Sequence, residues 1–333
     1  MKVARNSFRA REMAKSKSHD AQGSGCPEVA VVGHILNERV IFPDRVLYPV
    51  LGSPVAYCSI CLARLGKGVG IVTKIGSDFP QHLLGVFSEV GVRQEGIIAG
   101  NASTANELIY HKDGHKTLKF LSRAAKIGYA DIPTTYLDSQ IIYLCPIDRE
   151  IEEETIERLS EERRSIMVDL GGFGGATSEQ HPPIKDGMEL RRICPFFDVV
   201  KASIEDLEYI LGIEPRDCEH AAKLLLEWGA GIVVVTLGQE GALVSTREKE
   251  TRFPAYLQDQ RDVLDQTGAG DCFAAGFLSE FLTSRDPFEA TLYGNVVTSF
   301  VIERTGGAVA DRMPTSREAN RRVTEMRGRL ASG

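Results

Sequence analysis

Short apolar runs closed by turn-forming residues alternate along this chain with helical stretches, and this alternation constrains the fold more than any other feature. Glu28-Val-Ala-Val-Val-Gly33 and Val69–Ile75 are such runs, rich in β-branched residues. An apolar stretch without polar alternation suits a strand buried on both faces. Gln140–Leu144, Ser165–Leu170, Val199–Lys201 and Ile232–Leu237 are further candidates. Helical segments are expected at Ala56–Leu65 (ending at Gly66), Ile151–Glu162, Ile204–Leu211 and Glu219–Trp228. Strand and helix recur at the spacing of βαβ units, which predicts an α/β fold: a central, mostly parallel sheet with helices on both faces.

Two stretches break the rhythm. Ala105–Phe120 alternates around Lys112-Asp113-Gly114, and Asp-Gly between alternating arms is a hairpin signal. Val40–Val50 is extended and β-branched, with Pro43 and Pro49 suiting an edge. Together they predict a small β-lid, from about 38–50 and 103–122, on one domain spanning 28–327. Residues 1–27 are polar and locally basic, without the apolar core of a secretory signal, and are expected to be a disordered tail.

The formal net charge of −7 lacks the basic field that gripping nucleic acid needs. No long uncharged apolar run predicts a membrane span. The seven cysteines, odd in number and irregularly spaced, predict free thiols and a cytoplasmic setting. Cys58 and Cys61 form a C-x-x-C without the second pair of a structural zinc site, and are expected to pack in the core.

The most chemical segment is Asp265-Gln-Thr-Gly-Ala-Gly-Asp-Cys-Phe-Ala-Ala-Gly-Phe277, a Gly-rich turn feeding an apolar helix. Unpaired N–H groups and the positive dipole end make such a turn an anion site. A carboxylate among those amides, Asp271, makes sense where it takes a proton from a hydroxyl that attacks a phosphate. The amides of Gly268, Ala269, Gly270 and Asp271 would then stabilise the transferring charge. The plainer reading of Asp271 is a helix cap.

The full string resembles the C-terminal signature of the PfkB (ribokinase-like) carbohydrate kinases, Asp-x-x-Gly-Ala-Gly-Asp-x-Phe, and the resemblance extends over about Glu28 to Gly307. It implies a three-layer α/β/α sandwich with a β-lid, and ATP- and Mg²⁺-dependent phosphorylation of a hydroxyl on a small sugar or polyol. Gly52-Ser53-Pro-Val-Ala-Tyr57 through Gly66 is similar to the family's Gly-Gly motif, with Ser53 for the second Gly and Tyr57 where Asn is frequent. Gly33-His-Ile-Leu-Asn37-Glu38 resembles the first-strand motif, with Glu38 at a position usually Asp. Asn37, Glu38, Gly52, Ser53, Tyr57 and Asp169 are thus implied as acceptor residues. Lys201-Ala-Ser203-Ile-Glu-Asp206 resembles the metal-linked motif, which implies Asp206 holding Mg²⁺ through water, with Glu205 as the competing candidate. Ser203 and Asp206 also make a capping box. Ser203, Thr236, Gly238, Gly241, Asn295 and Gly307 are implied at the ATP site.

Asp169-Leu-Gly-Gly-Phe-Gly-Gly175 invites a dinucleotide reading, but Thr177 stands at its third glycine and His181-Pro-Pro183 interrupts the helix it needs. A Walker motif is absent, and the histidines show no ligand pairing. Arg123 and Lys126 are expected to be solvated, and His34 to contact substrate or pack. The acceptor stays open among a sugar, a cyclitol such as myo-inositol and a nucleoside. A catalytically silent ligand sensor is the alternative of another class, and the lid strands suit a homodimer.

Overall fold

The computed structural model describes residues 25–111, 116–182, 184–257 and 263–332. In chain order it runs β1 (Val29–Val32), β2 (Leu36–Ile41), β3 (Val46–Gly52), α1 (Pro54–Arg64), β4 (Val69–Ile75), α2 (Gly85–Val90), β5 (Arg93–Ala99), β6 (Thr104–Tyr110) and β7 (Lys116–Ser122). There follow β8 (Ile141–Leu144), α3 (Glu153–Glu161), β9 (Ile166–Asp169), α4 (Met188–Ile193), β10 (Val199–Ser203), α5 (Ile204–Leu211), α6 (Cys218–Glu227) and β11 (Ile232–Thr236). The remainder is β12 (Ala242–Ser245), β13 (Glu250–Phe253), α7 (Ala269–Ser284), α8 (Pro287–Ile302) and α9 (Ser316–Ser332).

Nine strands form the main sheet in the order β13-β12-β11-β10-β9-β8-β1-β4-β5. It is parallel from β11 to β5, and β12 and β13 add an antiparallel end. Successive side chains on a strand face opposite ways, so the sheet feeds two cores. Val29 and Val31 of β1 pack in the layer that holds α1, α7 and α8. Ala30 and Val32 pack in the layer of α3, α4, α5 and α6. Burying one such valine contributes about 1.5–3 kcal/mol relative to exposure, which is why strands with no polar face are stable here.

The second sheet has the order β3-β2-β6-β7 and coincides with the two irregular stretches. Its central pair, β2 with β6, is parallel, while the outer pairs are antiparallel. The expected hairpin turn at Lys112-Asp113-Gly114 lies outside the described residues; β6 and β7 on either side pair antiparallel. Residues 1–24 also lie outside. Of the expected tail, only residues 25–27 are described, and Arg93 donates to the Gly25 carbonyl there. At the other end α9 continues to Ser332, past the expected 327. All seven cysteines are free, and Cys58 and Cys61 are buried on α1. No helix among the described residues is long and apolar enough to cross a membrane.

Candidate active site

Parallel strands all deliver their C-terminal ends to one edge of the sheet, which is where α/β folds bind ligands. Here β9, β10 and β11 end at Asp169, Ser203 and Thr236, beneath the four-stranded sheet. The cleft between them has a volume of about 340 Å³. Such a size suits a small-molecule ligand.

The Gly-rich turn enters this cleft as the N-terminus of α7. Gly268 is the cap, with φ +79°, and a Cβ there would run into the Tyr57 ring. Glycine is therefore demanded twice over, by backbone angle and by contact. The Ala269 N–H donates to the Gln266 carbonyl at 3.1 Å, so this amide is committed within the turn and the expected set of four donors is reduced. Gly270 and Asp271 occupy the second and third helical positions, where an α-helix supplies no acceptor of its own. Asp271 lines the cleft in the first turn of the helix.

Behind the turn lies a residue that sequence reasoning missed. Lys201 on β10 is 4% exposed and donates to Asp169 Oδ2 at 2.7 Å. Its Nζ lies 3.2 Å from where a Gly270 Cβ would stand, so the ammonium abuts the turn. Burial opposes its charge, but the carboxylates of Asp169, Asp206 and Asp271 outweigh it and hold the ammonium above its usual pKa. A lysine inside an apolar strand was the available signal. Asp169 itself also accepts from the Tyr143 hydroxyl at 3.3 Å and from the Gly171 N–H at 3.1 Å.

Asp206 and Ser203 form the capping box: Ser203 Oγ accepts from the Asp206 N–H, and Asp206 Oδ2 accepts from the Ser203 N–H. Asp206 Oδ1 accepts from the Ala176 N–H at 3.0 Å. Each oxygen keeps a lone pair, and Glu205 lines the cleft beside it. No group of three His, Cys, Asp or Glu among the described residues could hold a metal alone. This donor set fits a magnesium ion that takes one or two carboxylates and otherwise phosphate oxygens and water. Thr236, Gly238 and Gly241 line the same end. Asn295 on α8 lines it too, with its amide donating to the carbonyls of Phe253 and Pro254, both at 3.1 Å. Gly307 does not line the cleft: a Cβ there would meet Val50 and Leu51, so its place is against β3.

The four-stranded sheet closes the other end. Along β2, Leu36 and Glu38 face the cleft. Asn37, between them, is directed away by the two-residue period of a strand, which corrects its expected role. Glu38 is 4% exposed and accepts from Asn106 Nδ2 of β6 at 3.1 Å. Burial raises the Glu38 pKa to about 7; Asn106 opposes this, and the charges of Asp271 and Asp265 add to it. Asn106 Oδ1 is buried without a hydrogen-bond partner. Asn106 was missed, although its inward register with Leu108 and Tyr110 marks it. Gly52 stays outside the cleft wall and makes room for Glu38, since a Cβ there would lie 2.7 Å from Oε2.

Ser53 caps α1 by accepting from the Ala56 N–H at 3.1 Å, and it lines the cleft. Tyr57 touches the cleft but is 2% exposed, a core residue supporting the turn rather than an open stacking face. Tyr110 bonds Thr267 hydroxyl to hydroxyl at 2.5 Å and stacks on Phe42, joining the small sheet to the turn. Arg123 pairs with Asp148 and Glu179 outside this cleft. His34 is a packed residue, bonded to Thr104 Oγ1 at 2.8 Å and the Ala125 carbonyl at 3.0 Å.

The pfkB family carbohydrate kinase model matches residues 58–315. The chain is 33% identical to a cytidine kinase of Thermococcus kodakarensis over 287 residues, 84% of this chain and 97% of that protein. It is 29% identical to an ATP-dependent 6-phosphofructokinase of Thermoanaerobacterium thermosaccharolyticum, over 78% of this chain and 80% of that one. In fold it is similar to a fructokinase with bound ATP from Xylella fastidiosa, with a TM-score of 0.73 and 22% identity over 90% and 99% of the two chains. With its Gly-rich turn, cleft and two-sheet architecture, the chain belongs to the pfkB family of carbohydrate kinases, phosphotransferases with a hydroxyl acceptor.

Proposed function

We propose that this kinase transfers the terminal phosphoryl group of ATP to a hydroxyl of an uncharged acceptor, with a nucleoside as the favoured class. The charge distribution of the acceptor end carries this reading. Glu38 and Asn106 offer hydrogen-bond acceptors there, and Lys201 is the only lysine or arginine among the cleft-lining described residues. Its ammonium is bound to Asp169, so nothing in that wall compensates an anionic acceptor. The similarity to a cytidine kinase supports a nucleoside, as do the apolar Leu36, Leu108 and Leu118 lining the same wall. The similarity to a fructokinase holding ATP supports the donor.

Asp271 accepts the proton of the attacking hydroxyl. The acceptor oxygen bonds to the terminal phosphorus as the bond to the ADP oxygen breaks, and the amides of the turn take up the charge that shifts. Lys201 adds a fixed positive charge behind the turn. Asp206 and Glu205 would hold a Mg²⁺ ion, which would supply charge neutralisation to the donor phosphates. The four-stranded sheet acts as a lid that excludes water from the reacting groups. Exposed Val46, Tyr48 and Leu121 on that sheet support pairing of two lids.

The test is ATP consumption across cytidine and other nucleosides, myo-inositol, free hexoses and fructose 6-phosphate. Turnover with uncharged acceptors, nucleosides foremost, is expected. Preference for the phosphorylated sugar would refute the charge argument, and binding without any turnover would leave a ligand sensor.

A further inference from the structure

Arg312 is the largest fully buried side chain among the described residues, at 2% exposure, and the phosphoryl-transfer scheme makes no use of it. It closes a short turn ahead of α9. Its guanidinium donates to five backbone carbonyls. One terminal nitrogen reaches Gly306 and, at 3.3 Å, Gly307. The other reaches Val301 at 3.0 Å, Thr267 at 3.3 Å and Asp265 at 3.4 Å. It also donates to the Tyr57 hydroxyl at 3.3 Å, and the Asp265 carboxylate lies 3.7 Å away. That carboxylate in turn accepts from the Thr267 and Gly306 N–H groups at 2.9 and 3.3 Å.

Two consequences follow from elementary geometry. A trans peptide is planar, with its C=O and N–H pointing in opposite directions. Gripping the Thr267 carbonyl therefore fixes the direction of the Gly268 N–H in the same peptide plane, on the side away from Arg312. Five carbonyls converging on one buried spot also place their negative ends together, an arrangement that a permanently charged fork satisfies and an uncharged group does not. The same fork holds Tyr57, whose ring fills the space under Gly268.

We infer that Arg312 is a positioning residue for the Gly-rich turn, setting the aim of its donors through the carbonyls behind them. This rests on reading that turn as the phosphate site. The test compares full-length Arg312→Ala, Arg312→Lys and Asp271→Asn for kcat, acceptor KM and melting temperature. Each is measured with and without low, non-denaturing guanidinium chloride, against matched sodium chloride. Arg312→Ala is expected to lose about 10²-fold in kcat, the scale of a misaimed donor or a small misplacement. Its acceptor KM should stay within about 2-fold, since Glu38 and Asn106 are untouched, and guanidinium should return part of the rate. Arg312→Lys keeps the charge without the fork and should show the same split between kcat and KM. That split is decisive if the alanine variant does not fold. Asp271→Asn should be slow and unresponsive to guanidinium. A normal rate in Asp271→Asn strikes the assignment of the base, whereas Arg312 is judged on its own variants. Unchanged kcat in a folded Arg312 variant overturns the inference. So does a loss confined to acceptor KM, or a loss in Arg312→Ala that guanidinium leaves untouched.

Discussion

Replacing Lys201 by methionine tests the buried pair beneath the turn most directly. Methionine keeps much of the volume, so the change is chiefly one of charge. The residues of the pair are 4% and 5% exposed, and the contact is 2.7 Å. Removing one member of such a pair leaves an uncompensated buried charge and costs about 3–5 kcal/mol. For a 333-residue chain the unfolding entropy is about 0.7 kcal/mol/K, so the melting temperature should fall by roughly 4–7 °C. The folded-state pKa of Lys201 lies above its unfolded value. Its stabilisation is thus complete below about pH 10 and is lost as pH rises through the folded value, so a comparison at pH 7 captures all of it. The double variant Asp169→Asn with Lys201→Met removes both charges, and should recover at least half of the loss. Calorimetry or dye-monitored melting at pH 7 reads both. A single variant that melts within about 2 °C of the parent, or a double variant no more stable than the single, would refute the account of the pair.

Two further outcomes are expected. Asp271→Asn should retain its melting temperature and ATP affinity while kcat falls by about 10²–10⁴-fold, measured by coupled ADP release; a near-parent rate would remove Asp271 as the base. For Glu38, whose pKa is raised to about 7, the ionised form accepts acceptor hydroxyls best, so acceptor KM should fall as pH rises through 7. Folded-state protonation stabilises below the unfolded pKa and is lost as pH rises through 7; Glu38→Gln should flatten both the KM profile and this part of the melting profile.

The strands from β8 to β11 were legible because a strand buried on both faces has no polar alternation to confuse it. β5 escaped because its residues are mostly half-exposed at the sheet edge, and Arg93, Gln94 and Glu95 open it with polar residues. The small sheet was legible as two extended stretches, but the parallel pairing of β2 with β6 joins segments that no local pattern connects. The motif located Asp271 and the turn. It did not reveal that Asp169, thirty-two residues before Lys201, would be that lysine's partner. Asn37 and Gly307 illustrate the limit of motif transfer: adjacency in sequence put them near the cleft, while strand period and the packing of Gly307 on β3 took them out of its wall.

Glu38 and Asn106 belong to the small sheet, whereas Lys201, Asp169, Asp206 and Asp271 belong to the nine-stranded body and its helices. Under the proposed function, the groups assigned to the acceptor and those assigned to phosphate are thus encoded in separate stretches of chain, joined in space by contacts such as Tyr110 with Thr267. Exchanging residues 36–52 and 104–122 for those of a relative would alter the choice of acceptor with the phosphoryl-transfer apparatus left as it stands. On that reading, one scaffold has a short route to new substrates.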